Sequence, residues 1–286
     1  MADMSRTSTK ALVTSCDVRF LDGAEALLRS VARFHPDVVR YCFVPSRERG
    51  DIEARLDTLA TVLPPPRAIK GVPAENQINV GRLFAVHPAE EVSAYMDADV
   101  LMCRPAPELW ELEKGKVNAV PDAATRVSDA VAPQDRETFE RHFPGAAGKK
   151  GFNAGVFALA PREWRDLPER FEASLAAGAY TYSYILDQPL LNALIQPNVN
   201  WLPFEFNAHC LFDNPIPRNV RIVHFTSSPK PWMRAFRAHD PAYAYWLRYG
   251  LPQAGVARRC LAALWIAACT PKRLLGRRCR RLLARP

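Results

Sequence analysis

The stretch that decides the fold opens with Ala11-Leu-Val-Thr-Ser15, a short apolar run that reads as a buried strand. Asp22 and Gly23 then open a helix. Its apolar face is Leu27, Leu28, Val31 and Phe34, spaced at one, four and seven along a single stripe. His35-Pro36 stops it, because the residue before a proline is driven out of the helical region. Val38 to Val44, β-branched and aromatic, supplies a second strand. Strand–helix–strand at this spacing begins a parallel α/β sheet.

Working outward, Leu63-Pro-Pro-Pro66 is a loop, and Arg82 to Val86 is helical. Val92–Met96, Val117 to Val120 and Phe152 to Leu159 are further strands. Between the last two, Asp122 to Lys150 is polar and ends in Gly145-Ala-Ala-Gly-Lys-Lys150, either a lid or a surface excursion. Ile185 to Ile195 reads as a helix and Arg221-Ile-Val-His-Phe225 as a final strand. There is no internal repeat. These elements make one domain over residues 1–252, with residues 253–286 as an appendage.

The bulk numbers agree with a globular enzyme-sized domain. Of 286 residues, 48% are hydrophobic and 24% charged, which excludes disordered and collagen-like classes. A net charge of +8 suggests nucleic-acid binding until it is located. Residues 251–286 hold nine basic side chains and no acid, leaving residues 1–250 at −1. Nucleic acid is therefore not an expected partner. Seven scattered cysteines without a C-x-x-C pair favour a reducing compartment. Met1 to Lys10 lacks the apolar core of a signal peptide, and no run reaches the ~18 apolar residues of a membrane span. A cytoplasmic location is the expectation.

Four sites carry chemistry. Tyr95-Met-Asp97-Ala-Asp99 ends a strand, where residues two apart share a side, so both carboxylates can face one point. A cation between them relieves their repulsion, and hard Mg²⁺ or Mn²⁺ suits such oxygens. An acidic turn with no ligand is the competing reading. His224-Phe-Thr-Ser-Ser-Pro-Lys230-Pro-Trp232 adds an imidazole and, six residues on, an ammonium in a proline-stiffened loop suited to a phosphate. A core histidine beside an exposed lysine is the alternative. Gly151-Phe-Asn153-Ala-Gly155 has small residues where another group comes close, or where the strand bulges. Asp187-Gln188-Pro189 begins a helix that Asp187 could simply cap.

In this order the four sites resemble glycosyltransferase family 8, the family of glycogenin and of bacterial lipopolysaccharide α-glycosyltransferases. The resemblance runs from Ala11 to Trp232. It implies a GT-A fold, a mixed but mostly parallel central sheet flanked by helices, with a UDP-sugar donor and Mn²⁺ (or Mg²⁺). By the same resemblance Asp97, Asp99 and His224 are the metal ligands, and Lys230 holds the diphosphate. Arg82 and Asp17 stand near the donor and its nucleotide. Asn153, Asp187 and Gln188 line the transferred sugar, and Asp122 lies near the acceptor. The sequence departs from the family at Ser227, where glycine is usual, and at Cys16-Asp17, which replaces a more acidic pair.

The implied reaction is retaining transfer of a hexosyl unit to a saccharide acceptor. Double displacement through Asp187 or Gln188 and front-face substitution both fit that outcome. Trp265 and a leucine stripe among the arginines of residues 256–286 fit a helix lying on an anionic membrane. That surface would bring the enzyme beside a lipid-linked or lipopolysaccharide-like acceptor. The rivals are a peripheral membrane scaffold without catalysis and a sugar-phosphate nucleotidyltransferase. The latter would want a glycine-rich loop after the first strand, where Ser15-Cys-Asp-Val-Arg has none.

Overall fold

The first strand, β1 (Lys10–Ser15), has five consecutive buried residues, so it must be covered on both faces. Leu12 and Val13, adjacent along it, point into two different hydrophobic cores. The computed structural model describes residues 9–123, 126–181, 187–210, 216–226, 228–233 and 241–250. The order is β1, α1 (Leu21–Phe34), β2 (Val39–Phe43), α2 (Arg49–Leu56), β3 (Thr61–Leu63), β4 (Val92–Met96), β5 (Val100–Met102) and β6 (Val117–Pro121). Then come α3 (Arg136–His142), β7 (Phe152–Leu159), α4 (Leu167–Ala176), α5 (Gln188–Ile195), β8 (Val199–Trp201), β9 (Ala208–His209), β10 (Ile222–His224) and α6 (Pro241–Tyr245).

Seven strands form one sheet in the order β3-β2-β1-β4-β7-β6-β8. β1 is parallel to both β2 and β4, as the opening strand–helix–strand pattern predicts. Only β7 runs against its neighbours β4 and β6, which makes the sheet mixed but mostly parallel. In α1 the expected stripe Leu27, Leu28 and Val31 is fully buried, while Phe34 is only partly so.

Several expectations change in detail. Arg82 to Val86 belongs to a tight 3-10 segment, Gly81–Val86, not an α-helix. The helix expected from Ile185 starts, among the described residues, at Gln188. The excursion from Asp122 to Lys150 is packed rather than open: it contains α3, and Phe139, Ala146 and Ala147 are buried. The last strand does not join the main sheet. β10 pairs antiparallel with β5 and parallel with β9 in a separate three-stranded sheet. The cause is local, because β5 begins one residue after Asp99 and turns away from β4. Residues 253–286, and with them the boundary to the basic appendage, lie outside the described residues. Among the described residues no helix is long and apolar enough to cross a membrane.

Candidate active site

Where parallel strands end, the loops of an open α/β sheet make a crevice. Here β4 stops at Met96, and the Asp97 amide donates to the Gly155 carbonyl at 2.9 Å. The Val100 amide then donates to the Asp97 carbonyl at 3.1 Å. Asp97-Ala98-Asp99 is thus a turn joining β4 to β5, not extended strand. The two carboxylates converge because the chain folds back on itself, and the strand alternation expected from sequence is not the cause.

β10 brings the third group. His224 pairs in register with Val100, next to Asp99. Its Nε2 lies 3.2 Å from Asp99 Oδ1 and 3.8 Å from Asp97 Oδ2. One atom from each of Asp97, Asp99 and His224 can be chosen so that all lie within 4.8 Å of one another. Gly155 makes room for this: a Cβ there would stand 2.2 Å from His224 Cε1 and 2.7 Å from Asp97 Oδ2. Both readings of the glycine segment therefore hold, since the β6–β7 register also shifts between Ala119 and Pro121.

Basic side chains balance the carboxylates. Arg82 places Nη2 3.2 Å from Asp97 Oδ1 and Nε 3.0 Å from Asp187 Oδ2. Lys230 Nζ lies 2.6 Å from Asp99 Oδ2 and donates to the Phe225 carbonyl at 2.6 Å. The ammonium expected to reach for a phosphate is thus on Asp99 in this structure. Burial by itself would raise the Asp99 carboxyl, but His224 and Lys230 beside it hold it well below the usual carboxylate range. Asp187 behaves otherwise: burial, aided by Asp97, pushes it up to about 6 against the pull of Arg82. It occupies the N-cap position of α5 without a side-chain capping bond, so its carboxylate serves Arg82 instead.

The remaining expected residues are also near. Asp17 lines the cavity and accepts from its neighbour Arg19 at 2.6 and 2.8 Å. Gln188 Oε1 accepts from the Ala154 amide at 2.9 Å, and Gln188 Nε2 donates to Asp122 Oδ2 at 2.9 Å. Asn153 Nδ2 donates to the other oxygen of Asp122 at 3.3 Å. A cavity of about 690 Å³ gathers Asp17, Arg82, Asp97, Asp99, Asn153, Asp187, Gln188 and His224 in its walls. Lys230 and Asp122 are not in those walls but bond to residues that are. Ser227 lies outside the described residues.

Sequence reasoning missed Asn207 and His209. Asn207 is fully buried, with Oδ1 3.0 Å from His224 Nδ1 and Nδ2 3.0 Å from Asn153 Oδ1. His209 is buried with its ring 5.9 Å from that of His224, nearly perpendicular. Neither belongs to a motif, and only the pairing of β9 with β10 brings them in.

With the geometry established, likeness to known proteins can be weighed. The profile of glycosyl transferase family 8 matches residues 91–235, half of the chain. No curated protein matches. Among solved structures, the galactosyltransferase LgtC, in complex with donor and acceptor sugar analogs, is 19% identical with a TM-score of 0.58. The match covers 79% of this chain and 90% of that one. The glycosyltransferase GlyE of Streptococcus pneumoniae TIGR4 is 18% identical with a TM-score of 0.60, over 91% of this chain and 64% of that one. Mouse xyloside xylosyltransferase 1 is 15% identical with a TM-score of 0.51, over 76% and 97%. Such distant likenesses establish the fold, which is GT-A. The profile match, spanning the acidic turn, the Gly155 segment and the His224–Trp232 stretch, establishes the family: this chain belongs to glycosyltransferase family 8 and is a glycosyltransferase.

Proposed function

We propose that the protein is a retaining hexosyltransferase that uses a UDP-sugar donor and Mn²⁺ and acts on a lipid-linked or lipopolysaccharide-like saccharide. The observation that carries this reading is the convergence of Asp97, Asp99 and His224 on one point in a cavity of sugar-nucleotide size. Two carboxylates and an imidazole are a donor set that Mn²⁺ accepts, and Mg²⁺ remains the harder alternative. The room left by Gly155 fits them too, because a side chain there would fill the space between Asp97 and His224. Bound there, the ion would supply Lewis-acid neutralisation of the charge that grows on the leaving diphosphate.

The protein's own groups then have definable roles. Arg82 fixes the carboxylates of Asp97 and Asp187 in place by contacting both. Lys230 adds a buried positive charge at Asp99, within a site where water screens poorly. Asn153 and Gln188, locked through Asp122, present the polar edge against which a hexose can lie. Asp17 stands in the cavity wall beside Arg19, suited to the nucleotide. Retention is compatible with attack by Asp187 or Gln188 or with front-face substitution. Asp187 is already engaged by Arg82 and Gln188 by Asp122 and Ala154, which favours the front-face route.

Membrane association of residues 256–286 belongs to the same reading and rests on their arginines, Trp265 and leucines. A panel of UDP-sugars screened by thermal shift with Mn²⁺ tests the donor. A true donor stabilises the fold by about 2.7 kcal/mol at a hundred times its Kd. A panel in which no UDP-sugar shifts the melt, with or without Mn²⁺, contradicts it.

A further inference from the structure

Four side-chain amide and carboxylate groups, those of Gln188, Asp122, Asn153 and Asn207, link the sugar side of the cavity to His224, and their polarity can be worked out from fixed ends. The Gly155 amide donates to Asn153 Oδ1 at 3.1 Å, so that atom is an acceptor. Asn153 Nδ2 is then the end that donates to Asp122, which as a carboxylate only accepts. Asn207 approaches the same Asn153 oxygen at 3.0 Å and must offer its NH₂ there. Its own carbonyl oxygen is therefore the atom 3.0 Å from His224 Nδ1. A carbonyl oxygen cannot donate, so Nδ1 carries a proton, and in the neutral ring that would meet a cation the lone pair is left on Nε2. Nε2 is the nitrogen 3.2 Å from Asp99 and 3.8 Å from Asp97.

We infer that Asn207 is a positioning residue for the metal site: it sets the tautomer and tilt of His224, so that Nε2 rather than Nδ1 meets the cation. This rests on the metal reading of Asp97, Asp99 and His224. The ring is confined on its other sides as well, by Gly155 at Cε1 and by His209 across its face. Both polar ends of Asn207 are used and none of the residue reaches solvent, which is the arrangement of a group holding another in place. A partner of this kind on the far nitrogen of a metal-bound histidine typically accounts for roughly 10- to 100-fold in metal affinity.

The test is a Mn²⁺ titration of the full chain, read by electron paramagnetic resonance with UDP held constant, for wild type, Asn207→Leu, Asn207→Asp and His224→Ala. Asn207→Leu keeps the branched shape but accepts no hydrogen bond, and is expected to lose roughly 10- to 100-fold in affinity. Asn207→Asp gives up the donation to Asn153 but still accepts from Nδ1, and should lose clearly less affinity than Asn207→Leu, which keeps the comparison readable even if the leucine variant folds poorly. Nitrogen-15 NMR of the metal-free histidine rings, at a pH where they are neutral, should find His224 in the Nδ1–H form in wild type and Asn207→Asp, and not in Asn207→Leu. Equal Mn²⁺ affinity in wild type and a folded Asn207→Leu overturns the inference, as does an equally large loss in Asn207→Asp. A wild type with no Mn²⁺ affinity at all overturns the metal reading, and this inference with it.

Discussion

Asp99 divides its two oxygens between His224 and Lys230, and Asp97 shares Arg82 with Asp187. The acids, the histidine and the lysine were legible in the sequence because each sits in a short motif. Their mutual pairing was not, since it joins positions up to 131 residues apart. His209 was illegible for the same reason, yet it has a measurable signature. Burial, with His224 adding, holds its ring below the ordinary 6.5, down to about 4, against the pull of Asp122. The unfolded chain takes up that proton first as pH falls, so stability from His209 is complete above 6.5 and is lost on the way to about 4. Asp187 works the other way, because its carboxyl is raised to about 6 and the native chain binds that proton first. Comparison with His209→Gln isolates the histidine. The variant should gain on wild type by on the order of 3 kcal/mol between those pH values, read by urea unfolding. A gap that stays constant with pH contradicts the assignment.

At the scale of elements, hydrophobic pattern placed β1, α1, β2, β4, β6 and β7 with little error, because each buries a run or a stripe that its period reveals. The acidic turn was misread as strand because a two-residue spacing of aspartates looks the same in both. What distinguishes them is the bond from Val100 to Asp97, which no local pattern announces. The second sheet was hidden in part: β10 was read as a strand, but its partners β5 and β9 have three and two residues, too few to carry a period. β7 is where element and site meet. Gly155→Ala would push a methyl into His224 and Asp97, within a strand that otherwise accepts a Cβ without strain. Overpacking of this kind costs about 1–3 kcal/mol. The variant should melt at lower temperature and lose Mn²⁺-dependent activity by a larger factor than that stability loss explains. An alanine variant with wild-type activity would mean that the close packing at Gly155 does not matter to the site.

For the molecule as a whole, the order of motifs along the chain was more informative than any one of them, since only their sequence matches the family. The charge distribution adds a separate claim. A body at −1 carrying a tail of nine basic residues is expected to sit on an anionic surface with about 1 kcal/mol from each base that reaches it. Deleting residues 256–286 should release the protein from anionic vesicles while leaving UDP-sugar turnover in solution intact. Vesicle binding that survives the deletion refutes the tail's role without touching the catalytic one. Turnover itself is tested most directly by Mn²⁺-dependent hydrolysis of a UDP-sugar by wild type and Asp99→Ala. A wild type that releases UDP only with the metal, and an Asp99→Ala variant slower by roughly 10³-fold or more at saturating donor, is the expected result. Comparable rates in the two proteins, or a wild-type rate indifferent to Mn²⁺, would contradict the account.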